Sequence, residues 1–282
     1  MTKTLHTLVD DIYELFDPEK GHEVSEENLE AFATSLKEIL RVRLRERERP
    51  DTPLRFSSLG KPDRQMWYDA HDDSSAEGLQ GKTLFKFLYG DVIEQLILFL
   101  AKEAGHTVEQ EQAEVEVGGI KGHIDAIIDG VVVDVKSASP FGYKKFERQE
   151  VLKDDPFGYV QQLAGYANVL TPGKEAAWIA FDKVSGDICI SPLSSSVIKD
   201  YEPAPRIEHL KEVIEQDTPP KRCYNPEPDG KSGNMKLPTP CSYCKWKHRC
   251  HPGLRTFLYS GGPRFLTHVA KLPEVQEVTS EV

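Results

Sequence analysis

The most apolar stretch of the chain, GHIDAIIDGVVVDVKSAS at 122–139, carries Asp125, Asp134 and Lys136 where a plain buried strand would carry valines. Between its two apolar runs stands Asp129-Gly130, a strong two-residue hairpin signal, because both central positions of a type I′ turn need positive φ. That turn pairs Ile128 with Val131, Ile127 with Val132 and Ala126 with Val133, and so places Asp125 opposite Asp134. Side chains alternate along a strand, so Lys136 shares the face of Asp134, and His123 shares that of Asp125. Two carboxylates about 5 Å apart repel by roughly 3 kcal/mol at an effective dielectric of 20. A divalent cation removes the conflict, since Mg2+ takes one or two carboxylates together with water and substrate phosphate oxygens. Such an ion lowers the pKa of water and stabilises charge on a phosphoryl oxygen, while Lys136 orients the water or neutralises the phosphate. This is equipment for hydrolysing a phosphodiester. The competing reading is an ordinary exposed hairpin face, and a single His such as His123 is more often structural.

Positioning that pair requires flanking elements. Leu5 to Phe16 has helical spacing, and Ser25 followed by Glu26 and Glu27 starts a second helix through Leu44. Its charged end, RVRLRERERP, stops at Pro50 and reads as a solvated surface. Residues 52–69 and 71–81 read as loops. A longer helix from about Lys82 to Ala104 carries Leu84, Leu88, Val92, Leu96 and Leu100 at fourfold spacing, with Glu94 on or beside the inward face. Val108 to Val117 reads as a strand ending at the Gly118-Gly119 turn. Asp155 as N-cap and Pro156 in the first turn open a helix that ends before Pro172. Residues 175–193 read as a hairpin turning near Ser185 and Gly186.

Composition narrows the setting. The chain has 282 residues, 39% of them hydrophobic, and a net charge of −11, which argues against non-specific nucleic-acid binding over the whole surface. From Lys221 to Lys271, however, ten Lys or Arg stand against two acids, a local charge of +8. No apolar run approaches the ~20 residues that span a bilayer, and the acidic N-terminus is unlike a signal peptide, so no membrane association and a cytoplasmic location are expected. In a reducing compartment the five cysteines are metal ligands or core residues in preference to disulfides.

Asp125, then Asp134-Val135-Lys136, preceded by the helical carboxylate Glu94, resembles the PD-(D/E)XK nuclease superfamily. Gln162 and Tyr166 on the following helix form a Q-x-x-x-Y similar to that of its RecB-like branch, where the motif sits beside the metal site. Residues four apart stack on one helix face, so amide and phenol can reach one DNA strand or the lysine. Over residues 55–260 the chain resembles RecB-like exonucleases of tailed phages.

The second constellation is CSYCKWKHRC, which places Cys241, Cys244 and Cys250 as C-x2-C-x5-C. The spacing is similar to the last three ligands of iron–sulfur-bearing members of the same branch, AddB-type repair nucleases and CRISPR adaptation nucleases among them. In those relatives the fourth ligand precedes the nuclease core, but here no cysteine precedes Cys189, which sits in an apolar strand and reads as core. Cys223, 18 residues before Cys241, is the local substitute. Four local cysteines suit tetrahedral Zn2+ as well as a [4Fe–4S] cluster, and His248 and His251 keep a Cys/His zinc site open. In either form the metal would tie down a segment, from about 218 onward, that reads as loop-dominated and without a core of its own. Basic residues interleave there with Tyr224, Tyr243, Trp246, Phe257 and Tyr259, a pattern that suits a single strand, or else simply faces solvent.

The expected fold is α/β, a restriction-endonuclease-like core with a central mixed sheet flanked by helices. The expected divisions are an N-terminal helical region (1–54), the core (55–217) and a Cys-rich appendage (218–282). The resemblance implies an Mg2+- or Mn2+-dependent DNA exonuclease acting on single-stranded or end-containing DNA in recombination or degradation. It also implies a recombination partner protein and, for a phage-encoded chain, the host cytoplasm. Asp125, Asp134, the carbonyl of Val135 and Glu94 would hold metal, Lys136 would assist the attacking water, and Gln162 and Tyr166 would position substrate. A restriction-like endonuclease, or a non-catalytic zinc-organised nucleic-acid-binding protein, are the alternatives.

Overall fold

The turn on which the acidic strand pair depends forms as the sequence requires. In a computed structural model, which describes residues 3–45, 54–71 and 81–278, Asp129 and Gly130 both have positive φ, 50° and 80°. The Asp129 carboxylate accepts from the Thr107 N–H at 3.1 Å and lies 2.7 Å from Nδ1 of buried His106, whose Nε2 lies 3.1 Å from Asp11. One imidazole thus ties the hairpin turn to the first helix.

In chain order the helices are α1 (Leu8–Glu14), α2 (Glu26–Leu44), α3 (Asp63–His71), α4 (Gly81–Glu103), α5 (Pro140–Glu147), α6 (Tyr159–Leu170), α7 (Ser195–Ile198), α8 (Pro203–Ile214), α9 (Thr239–Ser242) and α10 (Lys247–Cys250). The strands are β1 (Val108–Glu109), β2 (Glu114–Val117), β3 (Ile120–His123), β4 (Ala126–Ile128), β5 (Val131–Ala138), β6 (Ala176–Asp182) and β7 (Ile188–Leu193), then β8 (Glu227–Pro228), β9 (Met235–Lys236), β10 (Arg255–Tyr259), β11 (Gly262–His268) and β12 (Glu277–Val278). Two compact units emerge, Met1–Gly60 with Leu79–Glu208, and Lys61–Gly78 with His209–Val282. No helix among the described residues is long and apolar enough to cross a membrane.

The first unit is built on a mixed sheet of order β1-β4-β5-β6-β7, in which β5 and β6 run parallel and the other neighbours antiparallel. Val133 and Val135 of β5 join Leu8 and Ile12 of α1 and Ile93, Ile97 and Ala101 of α4 in one apolar cluster. Fully burying each of the larger side chains is worth about 1.5–3 kcal/mol. Alternation turns Val132, Asp134 and Lys136 to the opposite face, where α6 packs. The buried stripe of α4, Ile93–Ile97–Ala101, adjoins the one expected from sequence; Leu84, Leu88, Val92, Leu96 and Leu100 are half-buried. The helix is covered on a second side by α2, where Phe32 stacks on Phe99 at 5.0 Å.

Other expectations need correction. The helix expected from Asp155 begins at Tyr159, because Gly158 adopts φ +75° and breaks the helical path. Asp155 still caps it, its two oxygens accepting from the N–H groups of Tyr159 and Val160 at 2.9 and 2.8 Å. Residues 63–71, read as loop, form α3. No helix is expected at 140–147, yet α5 forms there, capped by Ser139, which accepts from the Gly142 N–H. Pro50 and most of 71–81 lie outside the described residues.

The second unit contradicts the expectation of a loop-dominated segment without a core. It holds an antiparallel sheet of order β12-β10-β11-β9-β8, with Leu237, Trp246, Leu254, Phe257 and Leu266 buried. Tyr68 of α3 stacks on Trp246 at 5.6 Å, and the indole N–H donates to Asp69 at 2.6 Å.

Candidate active site

Regular pairing between β4 and β5 covers Ile128↔Val131, Ile127↔Val132 and Ala126↔Val133, and stops there. Asp125 lies in a bend just beyond it, so the expected direct Asp125–Asp134 ladder pair is replaced by a reach across the sheet. Asp125 Oδ2 accepts from the Val135 N–H at 2.6 Å. The pairing ends because residues 120–123 leave to form a separate ribbon with β2. His123 goes with them. It pairs with Glu114 in that ribbon, is exposed, and does not share the face of Lys136.

Asp134 is 4% exposed. The Lys136 ammonium stands 2.7 Å from both of its oxygens, but only Oδ1 is aligned as an acceptor, and Oδ2 is buried without an aligned donor. Glu94, half-buried on α4, accepts from the Gln112 amide at 2.6 Å. One turn earlier, Gly90 lies so near β5 that a Cβ there would touch Ser137 Oγ at 3.5 Å. Asp91, on the same helix, is held by both arms of Arg43 from α2, one at 2.6 Å.

These acids crowd one another. Burial first, then Asp91 and Asp134, push the Glu94 carboxyl up to about 7. Burial, then Glu94 and Asp134, hold Asp125 well above the usual carboxylate range. Burial works against the charge of Lys136, yet Asp134 and Asp125 outweigh it and raise its pKa, so the ammonium stays charged. Four carboxylates, Asp91, Glu94, Asp125 and Asp134, thus stand against two cations, Lys136 and Arg43. Excess negative charge and a buried oxygen without an aligned donor fit a hard dication. Each acid is meanwhile engaged by a protein donor, and among the described residues no three or more of the His, Cys, Asp and Glu side chains are drawn together as a metal-holding group.

On α6, Tyr159, Gln162 and Tyr166 follow one stripe. Tyr166 is buried and stacks on Phe56 at 4.9 Å. Burial, then Asp134 and Asp125, raise its phenol pKa, while the hydrogen-bonded Gln162 side chain works the other way. Gly122 of β3 is required here: a Cβ would come within 2.4 Å of Phe56 Cβ and 2.6 Å of the Tyr166 hydroxyl. Tyr159 was passed over in the sequence, yet its ring lies 4.9 Å from the Lys136 ammonium. Its place three residues before Gln162 was the available signal.

In the second unit, Cys223, Cys241, Cys244 and Cys250 line one pocket with Arg64, Tyr68 and Trp246. Burial, then the neighbouring thiols Cys244, Cys250 and Cys223, push the Cys241 thiol up to about 12. Four soft donors repelling around one pocket suit a thiophilic cation or cluster by donor type. His251 is buried there too, its pKa lowered by burial and by Arg222 and Arg64. Cys189, by contrast, is half-buried in β7, where burial raises its thiol to about 11. The local charge of +8 is moderated by partners, two of which lie outside the basic stretch. Arg255 pairs with Glu277, Arg264 with Asp229, and Lys245 with Asp69, at 2.6, 2.8 and 2.9 Å.

Among solved structures, the chain is similar to SSO0001, with 18% identity over 77% of this chain and 95% of that one, at a TM-score of 0.42. It is also similar to the alkaline exonuclease LHK-Exo from Laribacter hongkongensis, solved in complex with dAMP, with 13% identity over 64% of this chain and 94% of that one, at a TM-score of 0.37. No curated protein matches significantly. The profile of the PD-(D/E)XK nuclease superfamily matches residues 3–251, nearly the whole chain, and the protein belongs to that superfamily.

Proposed function

We propose that the chain is a divalent-metal-dependent DNA exonuclease that hydrolyses phosphodiester bonds in single-stranded or end-containing DNA. The observation that carries the reading is the charged Lys136–Asp134 pair on β5, with Asp125 on the next backbone N–H and Glu94 within electrostatic reach. Glu94, Asp125, Asp134 and the carbonyl of Val135 would hold Mg2+ or Mn2+. A dication bound there supplies Lewis acidity toward a phosphoryl oxygen.

The side chains do the rest. Lys136, kept protonated by its acidic neighbours, is a donor and not a base: its Nζ–H groups orient the attacking water or hold a phosphate oxygen. Gln162 and Tyr166 steady the strand against the sheet, and Phe56 fixes the Tyr166 ring. The preference for exonuclease over restriction-like cutting rests on the RecB-like order of the motifs in the sequence. Cys223, Cys241, Cys244 and Cys250 are assigned to a structural [4Fe–4S] cluster, with Zn2+ as the alternative.

Lys136→Ala is expected to abolish cleavage and leave DNA binding nearly intact; undiminished cleavage by that variant refutes the assignment. Linear DNA should be degraded and covalently closed circles spared, and cutting of the circles moves the reading to an endonuclease. Iron, sulfide and zinc analysis of protein purified without oxygen decides what the thiols hold.

A further inference from the structure

The element that the sequence hid, α5, begins four residues after Lys136, just beyond the end of β5, and its two faces differ sharply. Tyr143 and Phe146 are buried, with Phe146 6.0 Å from Trp178 and 6.2 Å from Tyr159, the ring that lies over Lys136. The outer face carries Phe141, 76% exposed, with Lys144 and Arg148 at i+3 and i+7. Among the described residues neither cation is paired with a carboxylate, whereas Lys145, 5.4 Å from the Phe141 ring, is also held by Asp154. Glu147, the one acid of α5, lies to the side of that stripe. A second exposed ring, Phe157, lies tilted against Tyr159, with ring centroids 5.4 Å apart.

We propose that the outer face of α5, led by Phe141 with Lys144 and Arg148, is a subsite for an unpaired stretch of the DNA strand being cleaved. The proposal rests on the nuclease reading and adds where the strand runs. A ring offers a face to any base, and cations one turn apart follow the backbone, so the combination selects single-stranded nucleic acid without regard to sequence. Phe141 stands five positions after Lys136, so their Cα atoms lie within about 18 Å of each other. That is a few nucleotides from the bond to be broken. A duplex, with its bases stacked inward, offers the ring nothing.

The test uses the full chain and a fluorescent single-stranded oligonucleotide, with Ca2+ replacing Mg2+ so that anisotropy reads binding independently of turnover. Phe141→Ala should weaken binding about tenfold, and the loss should vanish for a strand lacking its base at one position. Phe141→Trp should restore affinity. Lys144→Gln combined with Arg148→Gln should flatten the slope of log affinity against log salt by about 1.4, two phosphates at roughly 0.7 each. Unchanged affinity of Phe141→Ala for the intact strand overturns the proposal, as does a loss that is the same for every abasic strand. A chain that shows the expected binding but cleaves nothing with Mg2+ or Mn2+ keeps the subsite and removes the nuclease reading. A chain that cleaves normally while Phe141→Ala binds as the wild type does the reverse.

Discussion

The acids around β5 and the thiols of the second unit pose the same electrostatic problem and meet it differently. At β5, burial raises Glu94 and Asp125, but a lysine on the same strand face stands 2.7 Å from Asp134, and backbone and amide donors engage the other acids. In the cysteine pocket burial, the neighbouring thiols and Glu227 all push the Cys241 thiol up, and it stays neutral up to about 12. The acids at β5 are thus engaged by a lysine and by backbone and amide donors of the protein itself, whereas no such donor brings the Cys241 thiol down. The first site should therefore keep its shape without metal, and the second should depend on it.

Four measurements sharpen or break that contrast. The largest effect is expected from Asp134→Asn, which should lower single-turnover cleavage of linear DNA about a thousandfold and leave the melting curve nearly unchanged in Mg2+. Cleavage within threefold of wild type would remove the acids from the chemistry. Next, on the proposed metal assignment, Cys244→Ser should lower the iron or zinc content and reduce Tm by roughly 5–10 °C, with chelator treatment of the wild type doing the same. A full metal complement in the variant would show that the pocket does not bind through these thiols.

Gly122→Ala probes the packing beneath the first site. The added methyl meets Phe56 and Tyr166 at 2.4 and 2.6 Å, so chemical denaturation should show a loss of about 1–3 kcal/mol. Cleavage should fall with it, because Tyr166 must move; a neutral result would mean that the ribbon yields freely.

The smallest effect concerns Glu103. Burial pushes its carboxyl up, but hydrogen bonds from His22, Asn28 and the Ser25 N–H outweigh it and hold the pKa below its usual value. A depressed carboxylate adds stability that is present above the unfolded value, about 4.3, and is lost as pH falls through the folded one. Glu103→Gln should therefore be less stable by about 1 kcal/mol at neutral pH, with the gap closing below about pH 4. A gap that persists into acid excludes the ionised form as its source.

How much of this was legible in the sequence varies with the length of the signal. The β4–β5 hairpin could be read because Asp129-Gly130 dictates a turn and the apolar alternation then dictates register. The end of that register could not be read, since Asp125 leaves the ladder only because 120–123 pair elsewhere. Glu94 was reachable from the long periodicity of α4, but its Gln112 partner was not, because the contact is made between elements. In the second unit, strands as short as Glu227–Pro228 and Met235–Lys236 carry too few residues to show alternation. A sheet with a buried core therefore looked like loop. The helix α5 was hidden in a different way: Ser139-Pro140 is a good helix start, but it follows so closely on β5 that it reads as the strand's tail.

Among the described residues, β5 and β6 are the one parallel pair of neighbours in the central sheet. A hairpin cannot join parallel neighbours, so residues 139–175 must travel back along the whole sheet before β6 begins. Both α5 and α6 ride on that return path, while Asp125, Asp134 and Lys136 lie before it. On the proposed function, exchanging the return segment for that of a relative would swap one grip on the polymer for another and leave the proposed bond-breaking groups where they are, which makes it a natural cassette for altering preference between substrates.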